Sequence, residues 1–258
     1  MKFSASARTR RRNTIARKVA YQSLIAKHFP ELKTVKGLSS PYNQEDIIKH
    51  IAKIKKPHAK KYYVKGQTRK AKMYVARLPR KHYDKYLDIG ASTGHLTREI
   101  ANLVGATEVV GLDVQSWAEQ GDIDRLEFVQ TYDGRHIPYE DEHFDLVSLI
   151  FTIHHIPNYQ EIINEVIRVT KPGGSILIVE HDARSSTDKD IIEFDHRLFM
   201  IEKADSYSEY RKALADYYSK YFSLNGMQNK FAGKFTHVYR YPNDILKRYV
   251  AVYQKQNE

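Results

Sequence analysis

Apolar positions recur at two periods along this chain, and the change of period marks its elements. From Tyr86 onward, short apolar runs bounded by turn residues predict strands near 86–89, 108–113, 126–130, 144–151 and 174–181. A final antiparallel pair is expected near 234–240 and 248–254. Between the strands the spacing turns helical, with Leu96, Ile100 and Leu103 after the first strand and Ile162, Val166 and Val169 in "NYQEIINEVIRVT". Strand and helix in alternation predict an α/β fold, a doubly wound, mostly parallel sheet. The stretch from Asp188 to Ser223 reads as two helices inserted between the fifth strand and the final pair.

The first 85 residues lack the strand pattern. "NTIARKVAYQSLIAKHF" opens on cap-like Asn13 and Thr14 and sets Ile15, Val19, Leu24 and Ile25 near one helical face. "NQEDIIKHIAKIKK" does the same with Ile47, Ile48, Ile51 and Ile54. Two short amphipathic helices are expected, with "GLSSPYN" as the loop between them. We divide the chain into a basic helical N-terminal extension, residues 1–85, and an α/β domain, residues 86–258.

Charge sharpens that division. Residues 1–85 hold 24 Lys and Arg against 4 Asp and Glu, whereas residues 86–258 hold 18 against 27, which together give the net +11. The run after the second helix interleaves Lys and Arg with Tyr62, Tyr63, Tyr74 and Tyr83, as a surface that tracks phosphates and stacks bases would. Lys60, Lys61, Arg69, Lys70 and Lys72 are the expected phosphate contacts, and RNA or a ribonucleoprotein the expected partner. A solvated basic face whose tyrosines plug the core explains the same residues, and residues 1–24 also suit an organellar transit peptide. The 258 residues contain no Cys, which removes disulfides, Cys-ligated zinc and thiol nucleophiles. With no long apolar run, the expectation is an intracellular protein, cytoplasmic in the first instance, without a membrane partner; oligomeric state is not legible.

The candidate chemistry sits at the strand ends, where doubly wound sheets bind ligands. "LDIGASTG" has Asp88 before a tight turn with Gly90 and Gly94, and lacks the third glycine of a dinucleotide fingerprint. That arrangement suits a ligand with a cationic amino-acid end, Asp88 lying near its amino or sulfonium region. Asp113 closes the second strand, where a carboxylate accepts both hydroxyls of a ribose. Asp133, in "TYDG" after the third, is placed to accept from an adenine amino group while Tyr132 or Ile137 covers the ring.

Taken together, these residues resemble the class I S-adenosylmethionine-dependent methyltransferases, over about residues 86–254. "VTKPGGSILIVEHD" is similar to the family's turn into the fifth strand, and "KRYVAVYQK" to its last strand. "FDLVSLIFTIHHIPN" is similar to the fourth strand and following turn of its small-molecule and ubiquinone-type branch. The resemblance implies a Rossmann-like methyltransferase fold with a seven-stranded sheet and S-adenosylmethionine as cofactor. It also implies cofactor binding by Asp88, Gly90, Ser92, Thr93, Gly94, Asp113, Asp133, Gly134 and Phe151.

A sulfonium is a good leaving group, so the protein has to position two partners and, for a hydroxyl nucleophile, remove a proton. His155 and His181 are the candidate bases, within the "HH" and "EHD" strand-end pairs; a structural histidine bonded to a loop carbonyl is the alternative for each. Metal binding by "EHD" with His196 is not expected, because adjacent strand residues point to opposite faces. Tyr207, Tyr210, Tyr217, Tyr218 and Tyr221 either line an aromatic acceptor site or pack helices. Three readings of function remain open from the sequence. One is an RNA or ribonucleoprotein methyltransferase, a second a small-molecule enzyme whose N-terminal helices form a lid, and a third a methyltransferase-fold binding protein without activity.

Overall fold

The structure is a computed structural model that describes residues 5–30, 43–54, 66–115, 128–231 and 235–256, with residues 5–12 described by backbone alone. The chain forms two compact units: residues 62–182 with 218–258, and residues 1–61 with 183–217.

The first of these units carries the sheet. Its seven strands are β1 (Lys85–Ile89), β2 (Glu108–Asp113), β3 (Val129–Thr131), β4 (Phe144–Ile150), β5 (Thr170–His181), β6 (His237–Arg240) and β7 (Arg248–Gln254). They lie in the order β3-β2-β1-β4-β5-β7-β6. β1 to β5 pair in parallel, and β7 runs antiparallel to both β5 and β6. Parallel strands covered on both faces need apolar side chains on both, which is why β4 reads as Phe-Asp-Leu-Val-Ser-Leu-Ile and is buried at five of its seven positions.

Alternation sorts those side chains into two cores. Leu87, Ile89, Val147, Leu149, Ile176 and Ile178 share one face with α5 (Tyr159–Val169) and α8 (Leu224–Lys230). Tyr86, Leu146, Leu177 and Val179 share the other with α3 (Gln67–Val75) and α4 (His95–Val104). α3 lies within the Lys/Arg run and is helical because Ala71 and Tyr74 bury one side, leaving Arg69, Lys70 and Lys72 exposed. α4 buries Thr97, Ile100, Ala101 and Val104; Leu103, expected inside, is exposed, so the core face lies one position away from the sequence reading.

The other unit is helical: α1 (Ala5–His28), α2 (Gln44–Ile54), α6 (Ser186–Lys203) and α7 (Tyr207–Ala215). α1 buries Ala20, Tyr21, Leu24 and Ile25, with Tyr21 stacked on Phe194 of α6 at 4.1 Å. Ile15 and Val19, expected on the docked face, are 53% and 56% exposed. Ion pairs reinforce the docking: Arg17 with Asp190 at 2.7 Å, and Lys27 with Asp195 at 2.9 Å. His28 lies between Asp195 at Nε2, 2.9 Å, and Glu202 at Nδ1, 2.7 Å. On α2, Ile47, Ile48 and Ile51 are buried as expected, and Glu45 receives Tyr207 and Arg197. No described helix is long and apolar enough to cross a membrane.

Candidate functional site

Strand order reverses direction between β1 and β4, and the chain bends sharply after both. After β1, Gly90 and Gly94 hold φ of 75° and 82°, and Ser92 holds 53°, left-handed values that glycine adopts freely and serine does not. A Cβ on Gly90 would collide with the Thr152 hydroxyl; one on Gly94 would lie 2.6 Å from Val129. After β4, Phe151 also takes a left-handed φ of 53°. Two non-glycine residues in that region, one on each side of the switch, mark a locally strained backbone of the kind concentrated at binding sites.

Carboxylates tie these turns together. Asp88, 4% exposed, accepts from Thr97 Oγ1 and Ser148 Oγ, each at 2.5 Å, and Ser148 in turn bonds the Tyr86 hydroxyl at 2.8 Å. Burial outweighs those hydrogen bonds and pushes the Asp88 carboxyl up to about 6. Asp113 accepts Ser92 N–H at Oδ2, 2.8 Å, and Gln115 N–H at Oδ1, 3.0 Å. Each oxygen keeps a further lone pair, the number that two ribose hydroxyls require. Thr93 is half-buried within the same turn.

The third strand end differs from the expectation in detail. Asp133 is exposed, and its Oδ1 caps Arg135 N–H at 2.8 Å and His136 N–H at 2.9 Å, bonds that hold its carboxyl below the usual range. Its Oδ2 has no bond to a described residue. Ile137 is wholly buried in the core, whereas Tyr132 is half-buried at its edge, so of the two it is Tyr132 that can cover a ring. Gly134, φ 74°, accepts from Asn158 Nδ2 through its carbonyl.

Rings gather at the ends of β4 and β5. The short turn Ile153–His155 carries His154, which is 1% exposed and holds Glu180 through Nδ1 at 2.7 and 2.9 Å. Burial raises the Glu180 carboxyl. His181 lies 5.5 Å from His154 between ring centroids, Phe151 lies 5.2 Å from His181, and Tyr221 lies 5.4 Å from His154. His181 Nδ1 faces the Leu246 carbonyl at 2.7 Å, which fixes the proton on that nitrogen. Asp182 diverges, accepting Leu224 N–H and Arg240 Nε. His155 is exposed, with Nδ1 on the Tyr218 carbonyl at 3.0 Å. Of the pair in "HH", then, it is His154 that joins the strand-end cluster. No local sequence signal ranks it above His155; what singles it out is Glu180 on β5, beside the turn that follows β4.

These residues fit the cofactor the sequence implies. Gly90 and Gly94 have no room for a Cβ, Asp113 has two lone pairs to offer, and His95 Nε2, at the first residue of α4, is buried without a partner among the described residues. Comparison with known proteins agrees. A family model described as "Methyltransferase domain" matches residues 21–250. The chain belongs to this family of class I S-adenosylmethionine-dependent methyltransferases. It is 36% identical over 107 residues to the ubiquinone/menaquinone biosynthesis C-methyltransferase UbiE of Pseudomonas syringae pv. tomato, covering 38% of this chain and 41% of that one. The match thus spans about two-fifths of the relative's length. Two solved structures share the fold: PH0226 protein from Pyrococcus horikoshii OT3, TM-score 0.51 and 20% identity over 77% of this chain and 93% of that one, and an S-adenosylmethionine dependent methyltransferase from Mesorhizobium loti, TM-score 0.51 and 15% identity over 71% and 96%. The family match reaches back to residue 21, into α1.

Proposed function

We propose that the chain methylates a small, ring-bearing acceptor from which a proton must be removed. The observation that carries this reading is the buried His154–Glu180 pair, set among Phe151, His181 and Tyr221 at the strand ends and joined to the cofactor turn where Thr152 abuts Gly90. S-adenosylmethionine supplies an electrophilic methyl on a sulfonium. The chain's own residues would hold the ribose through Asp113 and the cationic end near Asp88, and offer aromatic faces to a flat acceptor. Glu180 orients the His154 ring through Nδ1, and this imidazole is the base proposed to take the acceptor's proton. His181, held through Nδ1 on the Leu246 carbonyl, is the second imidazole of the site. The name of the UbiE relative, a quinone-pathway C-methyltransferase, agrees with an acceptor of this class.

An RNA acceptor has the basic N-terminal half in its favour. Lys60 and Lys61 lie outside the described residues, while Arg69, Lys70 and Lys72 present their charge along α3. Arg17 and Lys27, however, are engaged with Asp190 and Asp195, so part of the positive charge serves helix docking. The site residues therefore favour the small acceptor.

Replacement of Glu180 tests the reading. With methyl-labelled cofactor and a panel of hydroxylated aromatics, the native protein should transfer label, and Glu180→Gln should lower kcat about 10²-fold or more with a shifted acid limb of the pH profile. Cofactor affinity by calorimetry should stay unchanged. Equal turnover by the variant would remove His154 and Glu180 from the chemistry.

A further inference from the structure

Beside the ring cluster two lysines converge on one phenol. Lys220 Nζ donates to the Tyr159 hydroxyl at 3.3 Å and stands 4.9 Å from the centre of that ring and 5.8 Å from that of Phe222. Lys230 Nζ stands 5.1 Å and 5.5 Å from the same two rings. Among the described residues neither ammonium reaches a carboxylate, whereas Lys171 and Lys255 of the same unit do so at 3.0 and 3.4 Å. Two cations held over the same rings with no anion between them repel one another, and the arrangement becomes favourable when a third, negative group enters.

Hydrogen bonds tie down the backbone that carries both lysines. Lys220 N–H donates to the His154 carbonyl at 2.8 Å, Gln160 Nε2 holds the Lys230 carbonyl at 3.3 Å, and Tyr159 and Phe222 meet edge to face at 4.9 Å. Tyr159 is also the first residue of α5, whose free N–H groups add positive potential. The hydrogen bond from Lys220 holds the Tyr159 phenol below its ordinary pKa, as a positive environment should.

We propose that Lys220, Lys230 and Tyr159 form an anion subsite that binds a carboxylate or phosphate substituent of the acceptor. One backbone hydrogen bond joins Lys220 to His154, which sets the subsite beside the turn that carries the imidazole cluster. The inference rests on the small-acceptor reading and narrows it to anionic ring compounds. Lysine suits this role as a compact charge that accepts a carboxylate or a phosphate without demanding one geometry.

Binding to the full chain separates the possibilities. Benzoate, phenyl phosphate and neutral benzyl alcohol are titrated by calorimetry, and Tyr159 is followed by NMR of 13C-labelled tyrosine, with inorganic phosphate as a further probe. Benzoate or phenyl phosphate should bind at least tenfold tighter than benzyl alcohol, and the benzoate to phenyl phosphate ratio identifies the preferred group. Lys220→Met with Lys230→Met should abolish that preference and the saturable phosphate shift of Tyr159, while S-adenosylmethionine affinity is retained. Equal binding of the neutral compound, or a preference that survives the double substitution, would overturn the subsite. So would a short RNA that displaces phosphate from Tyr159 with a steep salt dependence, since that assigns the lysines to a nucleic-acid backbone. Methylation of neutral phenols with no anion effect would leave the small-acceptor reading standing and remove only this one.

Discussion

With the cofactor's cationic end placed near Asp88, as proposed, one buried carboxyl couples cofactor binding to a proton. Its pKa of about 6 comes from burial, only partly offset by Ser148 and Thr97. A carboxyl whose folded pKa is raised favours the protonated form, so its contribution to stability is complete below its ordinary value and is lost as pH rises through 6. A cation brought near it reverses that preference. Cofactor binding at pH 6 should therefore release protons from Asp88, seen in calorimetry as a heat that varies with the ionisation enthalpy of the buffer and vanishes at pH 8. Buffer-independent heats at pH 6 would place the cationic end elsewhere. At this scale the sequence was informative about the glycine turn and Asp113, whose roles follow from backbone geometry and strand position. It could not rank His154 above His155, because burial on Glu180 depends on the pairing of β4 with β5, in which Ile150 lies opposite Val179.

Among the elements, strands were the most legible and helix faces the least. Parallel strands are apolar throughout, so β1, β4 and β5 announce themselves whichever way they face. The docked side of α1 is set by α6, more than 150 residues away, and the local spacing of Ile15 and Val19 pointed to the wrong side. α3 was hidden by the density of Lys and Arg around Ala71 and Tyr74. The contact between α1 and α6 also carries a pH dependence. Both nitrogens of His28 face carboxylates, which only accept, so the ring holds two protons. Burial pulls its pKa down, but the bonds to Asp195 and Glu202 outweigh it and leave it raised. Its stabilisation is complete below about 6.5 and is lost as pH climbs through the higher folded value. The melting temperature of the native chain should fall between pH 6 and 9 by more than that of His28→Gln, with Lys27 and Asp195 present in both. Parallel curves for the two proteins would show that His28 is neutral in the fold.

At the scale of the whole molecule, the charge division read from the sequence is real, yet its meaning changes once pairing is visible. α1 and α2 belong to a compact unit with residues 183–217, whose acidic side chains pair with the N-terminal bases Arg17, Lys27 and His28. A run of basic residues therefore records helix docking as well as any external partner, and composition alone cannot apportion the two. The proposed cofactor half of the site could be read from the sequence because it comprises one local turn and two strand ends. The acceptor half was not, since Phe151, His154, His181 and Tyr221 come together only when three separated segments meet. The most direct measurement is the fate of the methyl group: the protein is incubated with methyl-labelled S-adenosylmethionine and a cell extract, and label is followed into small-molecule, RNA and protein fractions. The site described here predicts label in the small-molecule fraction, on an anionic ring compound, and none with Asp113→Ala. Label recovered in RNA or protein, with none in the small-molecule fraction, would contradict it.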